Sequence, residues 1–555
     1  MATTNLNPKI AVVCALLMIS LNQHAQTMTE ILGRPTDKSI TINVLFDTVV
    51  ETYFEYGTTK GTYTSSTTIV KSETGVPVEV QLTGLSAETR YYYRTRYRKL
   101  GDVTFLASDM HTFITQRKPG SSFVFTVEAD PHPYDKKGCW NLWHIALQNQ
   151  LNDGADFMLD LGDTFGDDHF PTTITTEQVQ QLQLNCRDFF GPVCHSMPLF
   201  FCIGNHEGES GYYLTQTPPN NLAMYETTWR KLYYPNPIPD DFYSGDDVIE
   251  LNGVGKAENY YAWQWGDALF VVLDMYRYAS KTEKPQRWDF TIGKTQYDWF
   301  KNTLQGSNAK YKFVFSHHVL GQGRGGIELA NSYEWGGQDG SKGYVFDTYR
   351  PGWGLPLHQL MKANNVTAYF QGHDHIFVHQ QLDSIIYQSV PMPSDSTYKI
   401  GVTDNGDAYL SGHQLPGSGH IRVTVSADSA KFDYVSAVLP KDENDSAKNA
   451  KVVYSYSVKP KVVKSALEQP KDDQNNCYMY PNPTRDAVNI RFSQACEKRV
   501  SVMVQSIDGK LANNIQRDNL ADGEIIKIDH LQKGWYVISV KMSDQTLISK
   551  KVIVH

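Results

Sequence analysis

Short runs of Asp, Asn and His residues, each placed directly after an apolar stretch, are the part of this chain that could do chemistry. The five apolar stretches, residues 123–127, 157–159, 199–203, 313–315 and 367–370, have the length and composition of buried strands. The carboxyl ends of such strands are where an open α/β sheet presents ligands to solvent. Because carboxylate, amide and imidazole groups are ligands of Zn, Mn or Fe, we expect one metal cluster there. The runs are Asp130-Pro131-His132, Gly162-Asp163, Gly204-Asn205-His206-Glu207, His317-His318 and Gly372-His373-Asp374-His375.

This ordered set of motifs resembles the signature of the calcineurin-like metallophosphoesterase superfamily, over roughly residues 120 to 440. The resemblance implies an α/β catalytic domain, a four-layer αββα sandwich, with two divalent metal ions (Zn, Mn or Fe). Asp163 is the implied bridge, because a carboxylate has two oxygens for two cations about 3.5–4 Å apart, whereas an imidazole serves only one. The implied ligands are Asp130, His132, Asp163 and His375 for the first ion, and Asp163, Asn205, His317 and His373 for the second.

The same resemblance implies hydrolysis of a phosphoric ester by direct attack of a metal-bound hydroxide on phosphorus. His206 then protonates the leaving alkoxide or stabilises the transition state. We interpret His318 as a wall of the site and His169 as a solvated turn residue. Arg324 lies in a glycine-rich run after His317, and two interpretations stay open: a guanidinium clamp on phosphate, or an exposed side chain in a flexible loop.

Within the superfamily, the layout is similar to that of the purple acid phosphatases, which also carry a β-sandwich ahead of the catalytic domain. Those enzymes have a tyrosinate ligand three residues after the bridging carboxylate, where this chain has Gly166. They also lack the His of the first motif, present here as His132. A less anionic ligand set favours two divalent ions over an Fe(III)-containing pair, so we expect a colourless enzyme that works at neutral to mildly alkaline pH.

The implied substrate is a small phosphorylated molecule, and the leading hypothesis is hydrolysis of phosphate monoesters. A phosphodiesterase acting on nucleotides, cyclic nucleotides or phospholipid headgroups is the alternative, because monoester and diester enzymes share one bimetal core. A non-catalytic surface-binding module is a remote alternative, since such a module has no reason to keep a complete ligand set. The net charge of −9 provides no electrostatic attraction to nucleic acid.

The amino terminus has the pattern of a secretory signal peptide. Lys9 precedes the apolar run Ile10 to Leu21, and the small residue Ala25 follows, which predicts a signal peptide over residues 1–25. A dozen apolar residues are too few for a permanent anchor. We therefore predict no transmembrane segment in the mature form.

The remaining regions predict all-β sandwich domains on both sides of the catalytic domain. Residues 28–116 alternate apolar and polar positions and resemble a fibronectin type III domain, while residues 120–455 form the catalytic domain and 456–476 a linker. Residues 477–555 resemble the type A C-terminal sorting domain of the type IX secretion system. That resemblance implies the type IX secretion machinery as a partner, and a protein exported through the periplasm to the surface or exterior of a Gram-negative bacterium.

Overall fold

The computed structural model divides into two compact units, residues 1–463 and 464–555. It describes residues 28–554 apart from gaps at 166–170, 215–220, 251–253, 282–284, 321–322, 402–404, 462–476, 481–483, 485–486, 493–498, 508, 522–523 and 542–546. The predicted signal peptide, Gly166 and His169 lie outside the described residues. Among the described residues, no helix has the length and apolar character needed to cross a bilayer.

The first unit begins with a β-sandwich. One sheet has the strand order Met28–Gly33, Ser39–Phe46 and Val78–Thr83. The other contains Ser65–Ser66, Val50–Gly57, Arg90–Lys99 and Leu106–Ala107, with Val70–Lys71 and His111–Ile114 paired on it. Alternating apolar side chains such as Ile40, Ile42 and Val44 are buried between the two sheets. The sandwich has the predicted all-β architecture, and its assignment to the fibronectin type III family stays a prediction.

Two further sheets form the centre of the first unit. The six-stranded sheet has the order Leu199–Phe201, Phe157–Asp160, Phe123–Glu128, Ser418–Val425, Ala430–Ala437 and Val452–Val458. The eight-stranded sheet has the order Ser244–Gly245, Tyr261–Trp265, Ala268–Val272, Tyr311–Phe315, Ala368–Gln371, Ile385–Ser389, Phe377–Leu382 and His413–Leu415. The first three strands of the six-stranded sheet run parallel to one another. All five strands predicted ahead of the motifs are present in these two sheets.

The two central sheets pack face to face through an aromatic core. Phe125 lies 5.0 Å from Phe270 and 5.4 Å from Phe313, measured between ring centroids. Each fully buried phenylalanine of this kind contributes about 1.5–3 kcal/mol to the stability of the fold. The core therefore holds the carboxyl ends of the strands of both sheets in a fixed relation.

Helices cover the outer faces of both sheets. Trp140–Asn152 and Thr176–Cys194 pack on the six-stranded sheet, and Gly293–Gly306 and Leu357–Ala363 pack on the eight-stranded sheet. This arrangement is the predicted four-layer αββα sandwich. Shorter or peripheral helices are Leu222–Tyr233, Tyr333–Gly336 and Phe346–Tyr349, with 3₁₀ turns at Arg287–Asp289, Ile327–Leu329, Gly340–Lys342 and Asn405–Ala408.

The end of the catalytic domain differs from the sequence-based boundary. Val452–Val458 is an edge strand paired with Ala430–Ala437, so the segment predicted as a linker from residue 456 begins as a strand. Tyr454 and Tyr456 pack against the aromatic core, which explains why this serine-rich stretch is extended and paired.

The second unit is a small two-sheet β-structure. One sheet contains Cys477–Tyr480, Val488–Phe492 and Ile525–Ile528. The other contains Leu511–Arg517, Val500–Ser506, Gly534–Lys541 and Leu547–Val554. Alternating residues such as Val500, Val502 and Val504 form its core.

Candidate metal centre

The predicted ligands converge at the carboxyl ends of the two central sheets. Asp130, Asp163 and Asn205 follow strands of the six-stranded sheet. His317 and the pair His373 and His375 follow Tyr311–Phe315 and Ala368–Gln371 of the eight-stranded sheet. Since the aromatic core holds the two sheets together, residues more than 200 positions apart in the chain meet at one place.

Six of the seven predicted ligands form two groups whose ligand atoms lie within 4.8 Å of one another. Asp163 is the residue that the two groups share, as the bridging prediction requires. The groups are Asp130, His132, Asp163 and His375, and Asp163, His317 and His373.

Distances within the groups match ligands that surround a common ion. The Oδ2 atom of Asp163 lies 3.1 Å from Nε2 of His317 and 3.5 Å from Nε2 of His132. Nδ1 of His373 lies 3.3 Å from Nε2 of His317. Ligand atoms about 2.0–2.2 Å from one ion are separated by roughly 3–3.5 Å, so these spacings suit a transition metal.

Several ligand atoms are buried without a hydrogen-bond partner among the described residues. They include Oδ1 of Asp130, Nε2 of His132, Oδ1 of Asn205 and Nδ1 of His375. A buried polar atom left in this state costs about 1–3 kcal/mol, and unpaired groups are rare in proteins. Four such atoms on predicted ligands fit residues whose partners are metal ions. Asn205, the seventh predicted ligand, directly precedes His206, whose backbone N–H donates to Oδ1 of Asp163 at 2.7 Å.

The backbone of most of the predicted ligands is strained. All five of the non-glycine residues Asp130, His132, Asp163, His373 and His375 have positive φ angles, between 36° and 67°. Such conformations cost of order 1–3 kcal/mol each and cluster at functional sites. The strand ends thus turn sharply so that both side chains of a motif such as Asp130 and His132 reach the same centre.

Glycines in the motifs allow this close packing. A Cβ atom at Gly372 would lie 2.5 Å from Oδ2 of Asp130, and one at Gly204 would lie 2.4 Å from Oδ1 of Asp163. Both distances are shorter than van der Waals contact, so any larger residue would displace a ligand.

The electrostatics of the centre favour positive charge between the carboxylates. Burial acts to lower the pKa of His317, but Asp163 and Asp130 raise it to about 10. Burial opposes charge on His132 too, yet Asp135 and Asp163 raise its pKa to about 9. Burial raises the pKa of Asp130 to about 7. Burial instead lowers the pKa of His373 and of His375 well below the usual value, so those two imidazoles stay neutral, as metal ligands must be. The carboxylates that attract protons to His317 and His132 would attract divalent cations in the same way.

Further contacts orient the ligands from outside the two groups. Nδ1 of His132 lies 3.0 Å from Oδ1 of Asp135, and Nδ1 of His317 lies 2.8 Å from the carbonyl oxygen of Leu161. Each contact turns the opposite nitrogen, Nε2, towards Asp163. Sequence reasoning missed Asp135, and the available signal was a carboxylate three residues after a predicted ligand.

Glu207 organises the turn that carries the bridging residue. Its buried carboxylate accepts backbone N–H groups from Gly204 at 2.6 Å, Asp163 at 2.8 Å, Thr164 at 2.6 Å and Phe165 at 3.2 Å. The sequence motif contained Glu207, but no role was predicted for it. Its position shows that the third motif supports the second as well as supplying Asn205.

The two histidines that were predicted beside the ligands line the site. The ring of His206 lies 5.0 Å from that of His132, edge to face. His318 is buried, stacks on Tyr276 and lies 4.8 Å from the ring of His373. Its Nδ1 atom lies 3.1 Å from the Tyr276 hydroxyl. These contacts place His318 in the wall beside the second group, and neither group includes it.

Arg324 lies at the edge of the same centre. Its Nη1 atom donates to the carbonyl oxygen of His373 and lies 3.4 Å from Oδ1 of Asp374. The side chain is 32% exposed. The guanidinium is therefore attached to a ligand backbone while part of it faces solvent.

Two segments of the chain match known protein families. The family model of the calcineurin-like phosphoesterases matches residues 106–377, and that of the secretion system C-terminal sorting domain matches residues 478–555. No curated protein matches the chain in sequence.

Two solved structures share the fold of most of this chain. A structure of PhoD is 14% identical, covers 78% of this chain and 90% of that chain, and has a TM-score of 0.54. Purple acid phosphatase PPD1 from yellow lupin (Lupinus luteus) seeds is 14% identical, covers 78% of this chain and 74% of that chain, and has a TM-score of 0.51. Residues 106–377 thus belong to the calcineurin-like phosphoesterases, which are metal-dependent hydrolases of phosphoric esters, and residues 478–555 belong to the sorting domains that direct export to the cell surface or beyond.

Proposed function

We propose that this protein is an exported phosphomonoesterase with two divalent metal ions. The observation that carries the proposal is the pair of donor groups that share the buried residue Asp163. One ion is held by Asp130, His132, Asp163 and His375, and the other by Asp163, Asn205, His317 and His373. Bound there, the ions would neutralise phosphate oxygens and acidify water.

His206 is the proposed proton donor to the leaving oxygen. Its backbone N–H donates to Oδ1 of Asp163 at 2.7 Å, and its ring lies beside His132 without belonging to either donor group. A histidine held at the site but outside the ligand set can change its protonation without loss of a metal ion.

Arg324 supports the choice of monoesters. A monoester carries a terminal phosphate with up to two negative charges, whereas a diester carries one. A partly exposed guanidinium beside His373 adds positive charge where the anion binds, and its planar fork suits two phosphate oxygens. The more highly charged ester gains more from this residue.

A substrate panel tests the reaction class. Metal-free protein is reloaded with Mn, Zn or Fe and assayed with p-nitrophenyl phosphate and bis-p-nitrophenyl phosphate. The proposal expects a higher kcat/KM for the monoester. A higher value for the diester would instead make the protein a phosphodiesterase, and no hydrolysis of either ester with any metal would contradict an enzymatic role.

The variant His206→Ala tests the proton donor. We expect kcat to fall by about 10²–10⁴-fold, the usual range for general acid catalysis. The loss should be smaller for p-nitrophenyl phosphate than for an alkyl phosphate, because p-nitrophenolate needs little protonation. Metal content should stay at the wild-type value. Equal losses for both leaving groups would contradict the assigned role.

A further inference from the structure

Asp374 lies between two predicted ligands but serves a different purpose. It stands between His373 and His375, is 1% exposed, and belongs to neither donor group. Its Oδ2 atom accepts the backbone N–H of Gly325 at 2.9 Å and the hydroxyl of Tyr409. The carboxylate therefore faces the glycine-rich loop after His317.

Tyr409 and Gln371 complete the attachment of this loop. The Tyr409 hydroxyl lies 2.7 Å from Oγ of Ser389 and accepts from Nε2 of Gln371 at 3.1 Å. The same Nε2 atom donates to the carbonyl oxygen of Gly325 at 3.1 Å. Both backbone polar groups of Gly325 are thus fixed by buried side chains, one through Asp374 and one through Gln371.

The backbone conformation at residue 325 requires a glycine. Its φ angle is 134°, in a region that is open almost only to glycine. Arg324 is its immediate neighbour, so fixing Gly325 also fixes the start of the arginine side chain. Among the described residues, Arg324 contacts its partners through Nη1, whereas a guanidinium carries five N–H donors.

We propose that Asp374 and Tyr409 are positioning residues that hold Arg324 at the rim of the metal centre, with its remaining donors directed to a phosphate dianion. This inference rests on the proposed function and names the group that selects the substrate charge. The loop would otherwise have to be ordered when the substrate binds, at a cost in affinity.

The first test measures substrate affinity in metal-loaded protein with p-nitrophenyl phosphate. Arg324→Ala should raise KM by about 10–100-fold, the effect of losing a hydrogen bond to a charged group, and change kcat less. Tyr409→Phe removes only the hydroxyl and should raise KM by about 5-fold. The Ki of inorganic phosphate should rise in parallel, and metal content should not change. Tyr344→Phe, at a tyrosine that is 50% exposed, is the matched control.

The decisive measurement is the double variant. If Tyr409 acts through Arg324, Tyr409→Phe adds little to KM in the Arg324→Ala background. An equal additional increase in both backgrounds, or loss of metal from Tyr409→Phe, would overturn the inference. Wild-type KM in Arg324→Ala would also overturn it.

The variants Asp163→Asn and Arg324→Ala test the metal centre and the phosphate clamp separately. A protein that loses activity with Asp163→Asn but keeps its KM with Arg324→Ala has the proposed metal centre without the proposed clamp. Activity that survives Asp163→Asn would instead reject the metal centre itself.

Discussion

The metal centre and the junction around Arg187 are both buried and polar, but the guanidinium at the junction is hydrogen-bonded, whereas several ligand atoms at the metal centre have no such partner among the described residues. Arg187, in the helix Thr176–Cys194, is fully buried against the amino-terminal sandwich. Its guanidinium donates to Oγ1 of Thr29 at 2.8 Å, to the carbonyl oxygens of Thr29 at 3.0 Å and Asn43 at 2.9 Å, and to that of Tyr233. At the metal centre, by contrast, ligand atoms of four residues have no hydrogen-bond partner among the described residues.

The backbone shows the same contrast. Arg187 lies within an α-helix that begins with a capping box at Thr175 and Gln178. Five of the predicted ligands have positive φ angles instead. Hydrogen-bonded polar groups on a helical backbone stabilise the fold, whereas unpaired polar groups on a strained backbone are typical of a ligand site. The two regions should therefore respond oppositely to substitution, one in stability and the other in activity.

The largest effect is expected from Asp163→Asn at the metal centre. Loss of the shared carboxylate should lower kcat/KM by about 10³-fold or more, because the ions supply several kcal/mol of charge stabilisation. Elemental analysis should find two divalent equivalents in the wild type and fewer in the variant. One tightly bound equivalent or none in fully active wild-type protein would contradict the two-metal site.

The second prediction addresses the junction. Arg187→Met leaves three carbonyl oxygens and a hydroxyl without their donor, so the free energy of unfolding should fall by about 3 kcal/mol or more. Thermal and urea unfolding measure this change. The kcat of the protein that remains folded should match the wild type. Arg287→Met, at an arginine whose side chain is 63% exposed, is the control and should leave Tm unchanged.

Sequence reasoning reached the metal centre because its signal is local. A buried strand followed by an Asp or His can be recognised without a structure. The five predicted strands are present, and Asp163 belongs to both donor groups, while its role as a metal bridge stays a prediction. Arg187 gave no such signal, because an arginine in an amphipathic helix usually faces solvent. Its partners Thr29 and Asn43 lie more than 140 positions away.

The roles of Asp135 and Asp374 were not predicted, because they also depend on the folded conformation of the chain. Asp135 and Asp374 lie in turns in which neighbouring residues have positive φ angles. The amino-acid sequence does not specify those angles, and so it does not predict which way each side chain points. The boundary at residue 456 was wrong because Val452–Val458 alternates tyrosine with serine at a sheet edge, and only tertiary packing distinguishes that pattern from a linker.

The third prediction uses pH to test the junction further. Glu30 is buried there, and its carboxyl faces Thr95, the Tyr93 hydroxyl at 3.3 Å and Nε2 of His111 at 3.4 Å, with Arg187 nearby. Burial raises the pKa of Glu30 from 4.5 to about 7. Its contribution to stability is thus full below pH 4.5 and is lost as the pH rises through 7.

Comparison with Glu30→Gln isolates this contribution. Because the variant cannot ionise, it should gain stability relative to the wild type between pH 5 and pH 8, by up to about 2.5 kcal/mol. Burial lowers the pKa of His111 to about 3 and of His195 to about 4, so those residues act in the opposite direction, losing stability below pH 6.5. Both proteins share that effect, and it cancels in the difference. A difference independent of pH would contradict the assignment to Glu30.

The smallest effect is expected from Asp135→Asn, because it changes the metal centre without removing a ligand. Asp135 contacts Nδ1 of His132 at 3.0 Å and so holds Nε2 towards Asp163. Loss of such an orienting carboxylate typically weakens metal affinity by about 10–100-fold. Competition with a chelator should therefore strip the variant at lower chelator concentration than the wild type, while kcat at saturating metal stays within a few-fold. Asp298→Asn, at a residue whose side chain is 48% exposed on the helix Gly293–Gly306, is the control. Thermal unfolding of the metal-free protein shows whether Asp135 also stabilises the fold. If Asp135→Asn lowers metal affinity and leaves Tm unchanged, Asp135 acts on the ligands. Unchanged metal affinity with a lower Tm would instead show that Asp135, like Arg187, makes structural contacts.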